Sequence, residues 1–107
     1  MTVDEALSRL QKSAFRAKFH LSDEDINYID KKGLDTVKSH AEDFITPMRG
    51  HPVFKAQHAC ACCCRGCLNK WYHVEKGREL SYDEQRRIVN LLMAWIEREY
   101  RSYKNNT

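Results

Sequence analysis

A chain of 107 residues with 42% hydrophobic and 31% charged residues has room for one globular domain and lacks the composition of a disordered protein. It contains no apolar run of about 18 residues, which a membrane-spanning helix would need. Its start, MTVDEALSRL, lacks the basic and apolar stretches of a signal peptide. We therefore expect a cytoplasmic protein without a membrane partner. Thiols stay reduced in that compartment, which disfavours a disulfide framework for the five cysteines.

Helical periodicity predicts three helices in the N-terminal half, residues 1–46. The first begins at a capping box opened by Thr2 and runs to about Lys18. The second spans residues 22–33, where a serine cap, acids in the first turn and a final glycine mark its ends. The third spans residues 35–47 and ends at a proline. The side chains expected to face the core are Leu7, Leu10, Ala14, Phe15, Ala17, Phe19, Ile26, Ile29, Val37, Ala41, Phe44 and Ile45.

The C-terminal part is predicted to form two helices. The first passes through Leu68 and Tyr72 and ends at Lys76–Gly77. A capping box at Ser81 opens the last and longest helix, the C-terminal helix over residues 82–103. Its apolar stripe follows the helical spacing closely and consists of Ile88, Leu91, Leu92, Trp95, Ile96, Tyr100 and Tyr103.

Residues 46–62 show no clear period between these two groups of helices. Their prolines and glycine break a helix, and Val53–Phe54 is predicted to be a short extended piece. The predicted fold class is therefore mainly α. We expect a compact single domain, residues 1–107, of four to five helices with one irregular Cys/His-rich segment at residues 50–73.

The cysteine cluster is the clearest candidate for a metal site. Cys64 and Cys67 form a C-x-x-C turn, whose two thiolates can bind one tetrahedral Zn²⁺ at about 2.3 Å each. Cys63 is an equal rival to Cys64, because Cys63 and Cys67 are four residues apart and would share a helix face. Two further ligands are needed. The candidates are His58, Cys60, Cys62, Cys63 and His73, with His51 and His40 further off along the chain. The residues selected as metal ligands are His58, Cys63, Cys64, Cys67 and His73.

Other uses of the cysteines stay open at this point. An iron–sulfur cluster is the alternative cofactor to zinc, because four cysteines could supply its thiolates. A redox C-x-x-C is disfavoured because no βαβ pattern surrounds it. Several of the cysteines could also be small buried hydrophobic residues, as free cysteines often are.

Positive charge accumulates around the cysteine cluster. Residues 55–79 carry five basic and two acidic side chains, and two aromatic residues lie among them. Such a face can attract phosphate and stack a base, so that nucleic acid, a nucleotide or a host protein is the expected partner. An ordinary solvated face, or cations that help to keep thiolates ionised, is the simpler interpretation of this charge and the favoured one. The candidate ligand-binding residues are Arg65, Lys70, Trp71, Lys76 and Arg78.

Short motifs throughout the chain are similar to those of a known family. They include AQHA at 56–59, CCRGCL at 63–68, KW at 70–71 and KGREL at 76–80. They also include KGLDTVKSHAEDF at 32–44, TPMRGHPVF at 46–54 and MAWIERE at 93–99. On these motifs the chain resembles a small bacterial and phage family, domain of unknown function four-one-eight-six. The resemblance covers nearly the whole chain, and it implies no settled activity.

Departures from the family pattern bear on the metal site. Relatives tend to have threonines at Cys60 and Cys62, which implies that these two cysteines are bystanders. Relatives also have a histidine directly after the KW pair, where this chain has Tyr72 followed by His73. If that histidine is a metal ligand in relatives, the resemblance implies either that His73 substitutes for it here or that another group fills the fourth position. The connection before TPM is shorter here than in relatives.

Two further functions are alternatives to a metal-stabilised binding module. His40 and Glu42 with Cys64 and Cys67 match the order of residues in zinc deaminases, whose glutamate moves protons to an activated water. Against this, Cys63 stands where that motif has proline, and the flanking sequence is helical. A protein-interaction adaptor of phage type is the other alternative, with the aromatic C-terminal helix as its partner face or as a homodimer contact. We expect a binding module rather than an enzyme.

Overall fold

The regular elements of the structure, a computed structural model that describes residues 2–43, 52–63 and 65–105, are all α-helices. The prediction of a mainly α domain is confirmed, although the described residues form seven helices instead of four to five. None of these helices is both long and apolar enough to cross a membrane. The helices are α1 Val3–Gln11, α2 Ala14–Ala17, α3 Asp23–Lys32, α4 Leu34–Asp43, α5 Pro52–Ala59, α6 Arg65–Tyr72 and α7 Tyr82–Asn105.

Side-chain caps mark the helix starts that the sequence predicts. The Thr2 hydroxyl accepts from the Glu5 amide at 3.1 Å, which opens α1. At α7 the exchange is reciprocal: the Glu84 amide donates to Ser81 Oγ at 3.1 Å, and the Ser81 amide donates to Glu84 Oε1 at 2.9 Å. These bonds satisfy amides that have no partner within the helix. At the other end of a helix, Gly33 has a φ of 88° where α3 stops.

The predicted first helix is divided in two, which changes the face that it buries. Ser13 caps a new helix, α2, by accepting from the Arg16 amide at 3.3 Å. The break turns the following side chains relative to α1. As a result Ala14 is exposed and Phe15 is 50% exposed, while Arg16 is buried. The prediction that Ala14 and Phe15 face the core is therefore wrong.

The predicted extended piece at Val53–Phe54 is also wrong, because both residues lie in α5. Pro52 is the first residue of that helix, a position where its missing N–H costs nothing and its fixed φ is suitable. Val53 and Ala56 are buried. The helix is anchored by Lys55, whose Nζ lies 2.5 Å from Oδ2 of the buried Asp25 on α3.

Helix α6 ends at Tyr72, four residues before the predicted end at Lys76. His73 follows with a φ of 59°, which cannot continue a right-handed helix. Lys76 and Gly77 instead form a turn in the connection to α7, and Gly77 has a φ of 81°. Tyr72 and His73 therefore lie at the junction between α6 and this connection.

Helix α7 is the centre of the fold and packs against α1, α4 and α5. The predicted stripe from Ile88 to Ile96 is buried. Further along α7, Tyr103 donates its hydroxyl to Asp23 at 2.6 Å, and Tyr100 donates to Asp30. The rest of the core comes mainly from α1, α3, α4 and α5. The predicted core positions Phe44 and Ile45, and the predicted helix end at Pro47, lie outside the described residues.

Candidate metal centre

Two cysteine sulfurs and one guanidinium meet beside the loop between α5 and α6. The Sγ atoms of Cys63 and Cys67 lie 3.6 Å apart. Arg16, on α2, donates from Nη2 to Cys67 Sγ at 3.2 Å and from Nη1 to Cys63 Sγ at 3.8 Å. Its Nη1 also donates to the backbone carbonyl of His58 at 2.6 Å. We call Arg16, Cys63 and Cys67 the dithiol–arginine site.

Aromatic rings pack around the Arg16 side chain, which is 9% exposed. Its guanidinium carbon lies 4.9 Å from the centre of the Phe15 ring and 6.0 Å from that of Trp71, a range in which cations are attracted to aromatic faces. Burial lowers the pKa of Arg16, but hydrogen bonds to Cys67 and Cys63 raise this pKa by more. The site therefore holds a permanent positive charge beside two sulfurs.

The other two described cysteines have a different environment. Cys60 and Cys62 are 0% and 5% exposed. The Cys62 thiol donates to the carbonyl of Cys60 at 3.3 Å, and the Cys60 thiol approaches the carbonyl of Leu91 at 4.0 Å. Burial raises the pKa of Cys62 to about 12 and that of Cys60 well above its usual value. Both thiols therefore stay protonated in the core at neutral pH.

This contrast predicts the order in which the cysteines react. In metal-free folded protein at pH near 8, iodoacetamide should modify Cys63 and Cys67 at least about 100-fold faster than Cys60 and Cys62, because the thiolate is the nucleophile and burial suppresses it. Peptide mass spectrometry after timed quenching measures the four rates. Urea-unfolded protein is the control, in which the difference should vanish. Modification of Cys60 or Cys62 as fast as that of Cys67 would contradict the assignment.

The remaining predicted metal ligands differ in where they lie. Cys64 lies outside the described residues. His58 reaches the site through its carbonyl, while its ring lies 5.7 Å from the ring of Phe19. His73 is exposed beyond the end of α6. Within residues 2–43, 52–63 and 65–105, no three histidine, cysteine or acidic side chains form a group that could hold a metal. The structure thus brings together Cys63 and Cys67 of the predicted set.

Tyr72 occupies the position after the KW pair and has a structural role. Its hydroxyl donates to the carbonyl of Cys60 at 2.5 Å, which ties α6 to the cysteine loop. Burial raises the pKa of Tyr72, so this donor keeps its proton at neutral pH. The bond fixes the loop from which Cys63 projects.

The predicted ligand-binding residues differ in their exposure and in the contacts that they make. Lys70 and Lys76 are exposed. Trp71 is half-buried, and its ring lies 5.5 Å from the guanidinium of Arg9, which also donates to its carbonyl at 3.3 Å. The side chain of Arg65 lies outside the described part of the chain.

Arg78 is bound within the protein rather than open to a ligand. Its Nη1 and Nη2 donate to the two carboxylate oxygens of Glu84 at 2.7 and 2.8 Å, and its Nε lies 3.4 Å from Glu75. These interactions raise the pKa of Arg78. Bidentate pairs of this kind are the strong form of charged hydrogen bond.

The same pair predicts a specific sensitivity to acid. Hydrogen bonds from Arg78 and then from the Ser81 amide lower the pKa of Glu84 from 4.5 to about 2. A lowered pKa stabilises the fold above the unfolded value, and this contribution is lost as pH falls from about 4.5 towards 2. The difference in Tm between wild type and Glu84→Gln should therefore shrink over that interval. Glu79→Gln is the control, and an unchanged Glu84→Gln difference at low pH would contradict the prediction.

His40 and Glu42, the residues of the deaminase alternative, lie on α4. They line an open cavity with Asp35, Thr36 and Ser39, to which no described cysteine contributes. The Nδ1 atom of His40 is 3.3 Å from the hydroxyl of Tyr28. In the part of the chain that the structure describes, the two residues are not grouped with Cys67 as metal ligands.

Arg16 is the main site residue that the sequence does not predict. It stands next to Phe15 and within a run of apolar residues predicted to face the core, where a charged side chain needs a partner. An arginine at such a position was the feature of the sequence that could have identified this site residue. Its partners Cys63 and Cys67 are 47 and 51 residues further along the chain, so local patterns could not identify them.

A comparison with models of known families gives a match over most of the chain. A family model described as Domain of unknown function (DUF4186) matches residues 4–97. The match includes all three residues of the dithiol–arginine site, and it confirms the resemblance seen in the sequence motifs. No solved structure matches the chain.

Proposed function

Because the chain belongs to the family Domain of unknown function (DUF4186), whose description assigns no activity, we propose a function from the dithiol–arginine site. The protein is a small cytoplasmic binding module whose fold is stabilised by one zinc ion. Cys63 and Cys67 supply two thiolate ligands. Arg16 does not ligate the metal but stabilises both sulfurs from the protein side.

The separation of the two sulfurs is the observation that carries this proposal. Sulfurs that bind one tetrahedral zinc at about 2.3 Å lie about 3.8 Å apart. The Cys63 and Cys67 Sγ atoms are 3.6 Å apart, so both could ligate one ion with a shift of a few tenths of an ångström. Both side chains are half-buried, which suits a closed structural site.

Charge and chain position suggest how the coordination is completed. Cys64 lies between the two sulfur ligands in the sequence, and its thiolate would give the zinc centre a net charge of −1. The buried guanidinium of Arg16 would balance that charge with hydrogen bonds to the sulfurs, as partners of metal ligands commonly do. His58, whose carbonyl already accepts from Arg16, is the first candidate for the fourth position, and His73 is the second.

The surroundings of the cysteines favour zinc over an iron–sulfur cluster. A four-cysteine cluster would require Cys60 or Cys62 in addition to Cys63, Cys64 and Cys67. Cys60 and Cys62 are buried in the core with protonated thiols directed at carbonyl groups. Zinc accepts a mixed set of cysteine and histidine ligands and leaves both core cysteines in place.

Fewer observations support a partner-binding surface than support the metal site. Of the predicted basic and aromatic residues, Lys70 and Lys76 are exposed, while Arg78 is held by carboxylates. Contact with nucleic acid, a nucleotide or a host protein through these lysines stays a proposal. The deaminase and adaptor alternatives gain no comparable geometric support.

Cobalt titration of the metal-free protein tests the proposal. Bound Co²⁺ should show sulfur-to-metal charge-transfer absorption that saturates at one equivalent. Cys63→Ser and Cys67→Ser should each weaken Co²⁺ binding by at least about tenfold. Cys62→Ser is the matched control and should bind as wild type does, while Cys64→Ser, His58→Ala and His73→Ala identify the other ligands. Absence of sulfur-to-metal absorption in wild type, or an equal loss in Cys62→Ser, would reject the proposal.

A further inference from the structure

A second site lies on the face of the molecule where α1, α6 and α7 meet. These helices and the segment after α6 line a cavity of about 410 Å³ that is open to solvent on one side. Sites for small organic ligands usually measure about 300–1,000 Å³. The dithiol–arginine residues Arg16, Cys63 and Cys67 do not line this cavity. The cavity therefore has a different lining from the dithiol–arginine site, although Trp71 lines the cavity and also packs against Arg16.

The interior of the cavity suits the apolar body of a ligand. Side chains of Ala6 on α1, Leu68 on α6 and Leu91 on α7 line it and are buried within the core. Trp71 and Tyr72 add aromatic rings that are half-buried. Flat, polarizable rings pack well against such walls. The lining therefore favours an aromatic compound over a sugar or a free phosphate.

Charged groups at the edge of the cavity favour an anion. Glu84 also lines the cavity, but both of its carboxylate oxygens accept from Arg78. Arg87 is exposed and makes no ion pair with any residue that the structure describes. Asn90, one turn further along α7, adds an amide to the same edge. The uncompensated charge at this edge is thus the positive charge of Arg87.

We propose that this cavity binds a small aromatic carboxylate, with its rings against Leu68, Trp71 and Tyr72 and its carboxylate on Arg87. A guanidinium can donate two parallel hydrogen bonds to a carboxylate. The rings would displace water from apolar walls, which favours binding. The proposal does not depend on zinc, because none of the described cysteine ligands lines the cavity.

Titration with 2-naphthoate tests the proposal, with binding followed by NMR shifts of the Trp71 indole and of the Leu68 and Leu91 methyl groups. Wild type should show saturable shifts confined to the cavity. Arg87→Ala should weaken binding about tenfold, the effect of losing one charge-assisted contact. Arg86→Ala is the matched control, because it removes the same charge from the same helix. Arg86 is exposed and does not line the cavity.

A neutral ligand separates recognition of the charge from simple hydrophobic binding. The alcohol 2-naphthylmethanol should bind wild type about tenfold more weakly than 2-naphthoate and should be unaffected by Arg87→Ala. Equal weakening by Arg86→Ala and Arg87→Ala would overturn the proposal, because it indicates unspecific attraction. Equal binding of the acid and the alcohol, shifts outside the cavity, or no saturable shift would also overturn it.

Discussion

Replacement of Arg16 by methionine should lower the free energy of unfolding by about 3 kcal/mol, since breaking a buried charged contact costs about this much. Methionine retains an unbranched side chain but removes the charge and every donor. The His58 carbonyl, which accepts from Arg16 at 2.6 Å, would lose this partner. The sulfurs of Cys63 and Cys67 would lose their guanidinium. Urea unfolding of metal-free protein measures the effect. The m-value, the slope of the free energy of unfolding against urea concentration, should be the same for both proteins.

Arg9→Met is the matched control for that prediction. Arg9 also lies over the Trp71 ring and donates to a backbone carbonyl, but it is exposed, so its loss should cost no more than about 1 kcal/mol. Arg16→Lys should be intermediate, because lysine keeps the charge without the planar fork. Equal stability of the Arg16→Met and Arg9→Met proteins would contradict the central role of Arg16.

Removal of the proposed zinc ion should lower the free energy of unfolding by a similar or larger amount. At a metal concentration about 1,000 times Kd, binding to the folded state alone contributes about 4 kcal/mol. For a domain of this length, the loss corresponds to a fall in Tm of about 15–30 °C. Cys67→Ala should show the same severe loss of stability without chelator. Differential scanning calorimetry of wild type and Cys67→Ala, each with and without chelator, measures both effects.

The response to chelator distinguishes metal binding from packing in that experiment. Cys67→Ala should show almost no further fall in Tm with chelator, because its site is already incomplete. Cys62→Ala removes a buried side chain and should be less stable than wild type, yet it should keep the full response to chelator. A wild-type Tm that does not change with chelator would contradict the prediction.

The sequence predicts the helical elements well wherever the signals are local. Ser22 and Ser81 accept from amides of their own first turns, and residues a few positions apart determine such caps. The apolar stripe of α7 is long enough that its spacing identifies one face, and Leu92 and Ile96 are both 0% exposed. Helix starts and buried faces follow from such patterns because the interacting groups are neighbours in the chain.

Two errors in the predicted fold have local physical causes. The helical spacing predicts one continuous helix through Ser13, but a serine can also cap a new helix, and here it does so. Pro52 predicts a helix break, although proline is also favoured as the first residue of a helix, the position that it has in α5. In both cases one residue type has two roles, and packing with other helices decides between them.

The sequence indicates the cysteine sulfurs of the candidate site but does not indicate its cation, Arg16. Spacing paired Cys67 with Cys64 or Cys63, and the Sγ atoms of Cys63 and Cys67 lie 3.6 Å apart, although Cys63 lies in the loop before α6 and does not share a helix face with Cys67. Arg16 lies beside these two sulfurs because α2 packs against α5. This contact depends on the turn at Ser13, which reverses the expected burial of Phe15 and Arg16. Long-range contacts of this kind leave little trace in spacing or composition.

Elemental analysis of protein purified without an affinity tag is the most direct test of the proposed zinc centre. We expect close to one equivalent of zinc per chain in wild type, because a closed structural site should be nearly fully occupied. Cys62→Ala should retain that zinc, and Cys67→Ala should lose it. A wild-type zinc content below about half an equivalent, in protein expressed with ample zinc and never exposed to chelator, would contradict the account.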